Sequence, residues 1–335
     1  MTLSKDPLHM ADSGGDAGYR TTAGSLLQRS AAPAVLVVVA VIGTVSFGGR
    51  FANAGNLANM AVASSFLAII AIGMTMVIIS GGIDLSVGSM LALAAVLGAY
   101  GSRWGSAVGI LLPIAVCGAI GMVQGLLIGR ARMAPFIVTL AGLLFARGLA
   151  FKVSDNGNTT HLIEPGRWMT ALGQQRLLGV GLPAWIALAV FLGGLILLNR
   201  TRFGQATFAI GGSEEAATLM GLSVVRVKVL LYTMMGLLSG LAGMLVAARS
   251  SSGQSTIGAG LELEAIAAVV IGGTLLTGGS GGLTGTLAGV LLLGMIENLI
   301  NQVGTLSSYY QQTVSGLFLV VVVSAQTYVS RRDKA

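Results

Sequence analysis

Charge is what this sequence has least of. Asp, Glu, Lys and Arg together make 9% of its 335 residues, where a soluble domain carries about 25%. That shortage excludes an ordinary soluble globular protein. The 54% apolar content excludes a disordered chain, which needs low hydrophobicity and high charge. Cys117 is the only cysteine and lies in an apolar run, so an internal disulfide is excluded. The only two histidines, His9 and His161, stand far apart in polar segments. No metal-ligand spacing results, and no metal is expected. No Ser/His/Asp or Cys/His set can be assembled, and the phosphate-loop pattern G-x-x-x-x-G-K-S/T occurs nowhere. The chain is therefore not read as an enzyme, and neither ATP hydrolysis nor a cofactor of its own is expected. The net charge of +7 does not point to nucleic acid, because the basic residues sit between apolar runs, where they set membrane topology.

What is abundant is apolar length and glycine. Ten apolar runs cover residues 31–48, 57–80, 85–101, 108–128, 136–151, 183–199, 229–248, 264–276, 285–303 and 309–329. A helix needs roughly 20 such residues to cross a bilayer. The expected fold is all-α, a polytopic membrane helical bundle of about ten transmembrane helices. The eighth run is short and ends in glycines, as a half-helix would, and a half-helix is tolerated only where protein or a water-filled cavity covers its backbone. Glycine supplies 50 residues, about twice the usual share, and small residues let membrane helices approach closely. The first run is read as an uncleaved helix rather than a signal peptide, because its basic leader is long and many runs follow.

The basic residues orient the bundle. With the N-terminus in the cytoplasm, Lys5, Arg20, Arg29, Arg130, Arg132, Arg200, Arg202, Arg226, Lys228, Arg331, Arg332 and Lys334 fall inside. Arg50, Arg103, Lys152, Arg167, Arg176 and Arg249 fall outside, a ratio of twelve to six that follows the positive-inside rule. Both termini are then cytoplasmic. Residues 1–30 form a polar cytoplasmic segment, and 31–330 a membrane domain with a cytoplasmic loop at 200–228. The longest external segment is 152–182, with the turn signal Asn156-Gly157.

Within the cytoplasmic loop, Ser213-Glu214-Glu215-Ala216-Ala217-Thr218-Leu219-Met220-Gly221 spells a short helix. Ser213 is an N-cap, Glu214 and Glu215 suit the first turn, and Gly221 is a C′ stop. Ala216, Leu219 and Met220 would share one face. A plain connection needs neither caps nor such a face, so this helix reads as something a partner grips. A second motif is Gly81-Gly82-Ile83-Asp84-Leu85-Ser86-Val87-Gly88. Two readings of Asp84 stand: a cap for the helix beginning near Leu85, or an ion or substrate carboxylate. The motif is echoed by Gly272-Gly273-Thr274-Leu275-Leu276-Thr277-Gly278-Gly279, and many transporters are built from repeats. Thr284 is expected to cap the ninth run. Arg147 and Glu297 lie inside runs at similar depth, so they are expected either to form a polar pair that pins two helices, with Asn298 or Asn301 nearby, or to line the transport pathway.

Several stretches together resemble the ribose-type sugar permeases of ATP-binding-cassette transporters. They are Gly81 to Gly88; Pro135-Phe136-Ile137-Val138-Thr139-Leu140 followed by Ala146-Arg147-Gly148-Leu149-Ala150; Ala209-Ile210-Gly211-Gly212 leading to Glu215-Ala216-Ala217; Ala265 to Thr274; and Ser308-Tyr309-Tyr310-Gln311-Gln312. The resemblance covers roughly 50–330 and departs at Glu297, where members often carry an amide. It implies a subunit of a bacterial inner-membrane importer. A second permease copy or a homologous permease completes the channel. A cytoplasmic ATP-binding subunit docks on the loop at Glu215-Ala216-Ala217 and Gly221, and a periplasmic binding protein delivers a monosaccharide. A self-contained ion-coupled carrier is the rival reading, with Asp84, Arg147 and Glu297 as its candidate groups.

Overall fold

A computed structural model describes residues 23–303 together with 313, 316, 317 and 320, and side chains from residue 33 onward. The tenth run, most of the N-terminal segment and Ser308 to Gln312 therefore lie outside the described residues, apart from those single positions. The first nine runs each fall on a helix. In chain order these are α1 (Ala23–Phe47), α2 (Ala54–Ile79), α3 (Val87–Gly101), α4 (Ser106–Gly129) and α5 (Pro135–Val153). After them come α6 (Met169–Gln174), α7 (Leu182–Arg200), α8 (Arg202–Gly212), α9 (Glu214–Leu219), α10 (Val224–Ser250), α11 (Leu261–Ile271) and α12 (Leu283–Val303). Among the described residues, seven are long and apolar enough to cross a membrane: α1, α2, α4, α5, α7, α10 and α12. At about 1.5 Å per residue, the 15 residues of α3 and 11 of α11 fall short of a bilayer core of about 30 Å. The eighth run is a short helix ending in glycines, and the third is a short helix that continues the break after α2 and reaches strands β1 (His161–Leu162) and β4 (Ser252–Gly253) at its far end.

The glycines act as the sequence suggests. The most extensive helix contact joins α4 and α10. A Cβ at Gly125 would lie 2.7 Å from the Val229 Cα, and one at Gly240 would lie 2.8 Å from the Ile114 Cα. Only backbone separates the two helices there, so they meet along a close seam. The centre of the bundle is α2, nine-tenths buried over its most apolar window. It contacts α7, α8, α10, α11 and α12. Its hydroxyls mostly bond their own helix, Ser65 to Val62 O (2.6 Å) and Thr75 to Ala71 O (2.6 Å). Thr75 also meets Thr286 of α12 at 2.7 Å.

The segment 154–181 is folded rather than a loose connector. Strand β1 (His161–Leu162) pairs antiparallel with β4 (Ser252–Gly253), and β2 (Arg176–Leu177) with β3 (Val180–Gly181). Asp155, Asn156 and Gly157 all have positive φ, which makes the expected turn. Ile163 and Met169 are buried, and α6 packs on α10. This cap closes one end of the bundle. The opposite end holds α8, α9 and two breaks, one between α2 and α3 and one between α11 and α12. Helix α12 starts at Leu283, so Thr284 lies in its first turn instead of capping it, and Gly282 O takes the Thr286 N–H.

Candidate functional site

The sequence between α7 and α10 folds into two helices set at an angle by a capped corner. Thr201 caps α8 by accepting from Gly204 N (3.3 Å), and Ser213 caps α9 by accepting from Ala216 N (3.2 Å). Gly221 takes φ +80° and closes α9, with Gly221 N bonded to Thr218 O and Leu222 N to Ala217 O, both 3.0 Å. This is the six-to-one closure that a left-handed glycine permits. Ala217 is fully buried and anchors the helix, while Leu219 is 84% and Met220 69% exposed. With exposed Ala216 they form an apolar face turned away from the bundle. Lys228 Nζ ties α10 to Glu214 Oε2 at 2.6 Å, and Glu215 is exposed beside it. A groove of about 740 Å³ separates α9 from the α4–α5 turn and is edged by Arg132, Met133, Glu214 and Glu215. Sequence reasoning found α9 but missed α8. Its signal was present in the spacing of Phe203, Ala206, Thr207 and Ile210 after Thr201, one helical face behind an N-cap.

Behind this corner lie the two breaks. Helix α2 ends with Gly81 N bonded to Ile78 O (2.9 Å) and Gly82 N to Val77 O (3.0 Å), Gly81 at φ +82°. Helix α11 ends with Gly273 N bonded to Val270 O (2.9 Å) and Thr274 N to Val269 O (3.2 Å), Gly273 at φ +87°. The closures are the same. They align Gly81 with Gly273, one position away from the match of Gly81-Gly82 to Gly272-Gly273 read from the sequence. The breaks also touch, since Gly279 N donates to Ile79 O at 2.8 Å. A Cβ on Gly211 of α8 would collide with that same carbonyl, and one on Gly278 would lie 3.0 Å from both Gly211 O and the Gly81 Cα. Three chain segments therefore meet through backbone alone directly behind α9.

The first break is filled by polar side chains. Fully buried Asp84 accepts through Oδ1 from Ser86 N (2.8 Å) and Ser86 Oγ (2.6 Å), and Gln124 Nε2 donates to Ser86 Oγ (3.0 Å). The carboxylate thus shapes the turn before α3, which begins at Val87, two residues later than expected. Asp84 Oδ2 and Tyr232 Oη are buried and have no hydrogen-bond partner among the described residues. A Cβ on Gly82 would strike that tyrosine hydroxyl, and one on Gly88 would strike Gly258 O and the Glu262 carboxylate.

The expected pair of Arg147 with Glu297 is not what forms. Arg147 Nη1 donates to Ser255 O (2.7 Å) and Ile257 O (2.9 Å), and the carboxylate acting on it is that of Glu262. Equal depth does not fix azimuth: α5 packs on α3 and α4, whereas α12 packs on α1, α2 and α11. Glu297 instead lines a cavity with Glu264. Asn298 exchanges amide hydrogen bonds with Asn56 (2.9 and 3.1 Å), and Asn301 is exposed. Among the described residues no group of three His, Cys, Asp or Glu side chains is placed to hold a metal.

Comparison with known proteins agrees with this architecture. The family described as branched-chain amino acid transport system / permease component matches residues 56–323. The ribose import permease protein RbsC of Escherichia coli K12 is 41% identical over 302 residues, which cover 89% of this chain and 93% of the relative. RbsC of Bacillus subtilis 168 is 42% identical over 270 residues, 80% of this chain and 83% of the relative. The L-arabinose transport system permease protein AraH of E. coli K12 is 38% identical over 307 residues, covering 90% and 92%. No solved structure matches the chain. The resemblance drawn from the motifs holds, and this multi-helix membrane protein belongs to the branched-chain amino acid transport system permease-component family.

Proposed function

We propose that the chain is the transmembrane permease subunit of an ATP-driven importer in a bacterial inner membrane. Its cargo is a monosaccharide, a pentose, hexose or related sugar, handed over by a periplasmic binding protein. The observation that carries this reading is α9: a helix capped at both ends, anchored by Ala217 and Lys228, with the apolar face of Ala216, Leu219 and Met220 left exposed. The names of the relatives, ribose and arabinose permeases, support the sugar class. In this reading residues 31–330 form the membrane domain and 200–228 the cytoplasmic loop, with both termini inside. ATP binding and hydrolysis belong to a partner subunit seated on α9. A second permease, identical or homologous, forms the other half of the path. Closure of the ATPase pair moves α9 and α8 together, and the backbone contact of Gly211 with Ile79 and Gly279 passes that movement to both breaks. The helices then rock as blocks to open the path on one side or the other.

The test is co-purification of the chain with the ATPase encoded beside its gene, comparing wild type with Leu219→Asp and Glu215→Arg. Wild type is expected to retain the ATPase and both variants to release it while remaining folded. A folded wild type that binds no ATPase overturns the importer reading and brings the ion-coupled carrier forward.

A further inference from the structure

We propose that the cavity between α2, α11 and α12 is a sugar-holding site inside the permease, with Glu264, Glu297 and Ser64 as its hydroxyl-recognising groups. The inference rests on the importer reading and names where in this subunit its cargo pauses. The cavity is half open and has a volume of about 350 Å³, within the range of small-ligand sites of roughly 300–1,000 Å³. Its walls are mainly apolar, from Phe66, Leu67 and Leu293, with two carboxylates and one hydroxyl converging on them. No lysine or arginine is among the residues lining it. Glu264 and Glu297 are near enough for their charges to interact, which places two carboxyl groups on the same stretch of wall. Ser64 supplies a separate observation. It is only 7% exposed, its Oγ has no hydrogen-bond partner among the described residues, and it lies on the cavity wall. A Cβ on Gly294, another wall residue, would collide with that hydroxyl. The missing side chain keeps the space before Ser64 open.

The chemistry of the wall selects the ligand. Carboxyl oxygens and a hydroxyl offer several hydrogen-bond acceptors at one wall, so they suit a neutral molecule rich in hydroxyl donors. The Phe66 ring offers an apolar face of the kind that covers the C–H side of a sugar ring. The sequence reading set Glu297 against Arg147. Its placement beside Glu264 gives it a different task.

The experiment uses the full importer in proteoliposomes, with its ATPase subunit and binding protein. Radiolabelled D-ribose, L-arabinose, D-xylose and D-galactose serve as probes. Glu264→Gln and Glu297→Gln keep shape and remove charge, and Ser64→Ala removes the hydroxyl. The expected result is a fall in uptake of about tenfold or more for each Gln variant and about threefold for Ser64→Ala. The ratio between probe sugars is expected to change at least fivefold, with complex assembly and binding-protein-stimulated ATPase intact. Uptake of every sugar within twofold of wild type overturns the site and leaves the importer standing. An equal fall for all sugars, or loss of assembly, assigns these residues a structural role and also overturns it. Failure of wild type to import any probe sugar while stimulating no ATPase overturns the importer reading, and the site with it.

Discussion

Helices α2 and α11 stop in the same way and continue differently. Both end on a left-handed glycine with a six-to-one backbone closure, Gly81 in one and Gly273 in the other. After Gly81 the chain spans only 80–86 before α3, and Asp84 and Ser86 pin it with buried side-chain hydrogen bonds. After Gly273 it spans 272–282, is rich in glycine, and is held by backbone contacts, including Gly279 to Ile79. One closure geometry thus supports two kinds of junction, one held by a carboxylate and one held by hydrogen bonds and close contacts of the backbone. The first junction belongs to the core. Both lie against α8, where Gly211 abuts the Ile79 carbonyl and the Gly279 amide.

Substitutions separate the two. The largest effect is expected from Gly211→Val, whose side chain would be driven into the Ile79 carbonyl and the Gly279 amide, neither of which can rotate away. The monodisperse fraction on gel filtration in detergent should collapse. Neighbouring Gly212→Ala has open space around it and should be silent in the same assay. Next is Asp84→Ala, which strips the acceptor from Ser86 N and Oγ and should cost about 1–3 kcal/mol, read as a fall in melting temperature. Asp84→Asn keeps an acceptor oxygen and should recover part of that loss. If Asn were as damaging as Ala, the charge rather than the hydrogen bonds would be what holds the first junction. The smallest effect is expected from Thr274→Val in the second junction. Thr274 is fully buried and its Oγ1 has no hydrogen-bond partner among the described residues. The isosteric apolar side chain should therefore leave the melting temperature unchanged or slightly raised. A clear loss there would show that the second junction also depends on a side-chain hydrogen bond.

Much of this was legible in the residues because the signals are local. Apolar length placed the nine helices α1–α5, α7 and α10–α12, and Ser213 with Gly221 marked both ends of α9 through caps that bond within four or five residues. What needed three dimensions was harder. Depth along α5 and α12 put Arg147 and Glu297 level, but nothing in either helix says which neighbours it faces. The repeat was visible, yet its register turned on which glycine adopts positive φ, and adjacent glycines are alike in sequence. Helix α8 was overlooked because its apolar stripe is brief and lies between longer membrane runs. The folded cap at 154–181 was hidden because Met169 and Ile163 are buried by α10 and other elements distant in sequence.

The burial of α2 has a consequence for how the protein is made. It emerges early from the ribosome, but α12, one of the helices that enclose it, is complete only some 220 residues later. At synthesis rates of about 5–20 residues per second, that is a wait of tens of seconds in lipid. An apolar surface on every side, with Ser65 and Thr75 satisfied by their own helix, lets α2 stand alone for that interval. The helix at the centre of the finished bundle is therefore composed like one facing lipid, and a charged substitution there would be felt first by the insertion machinery rather than by the folded protein.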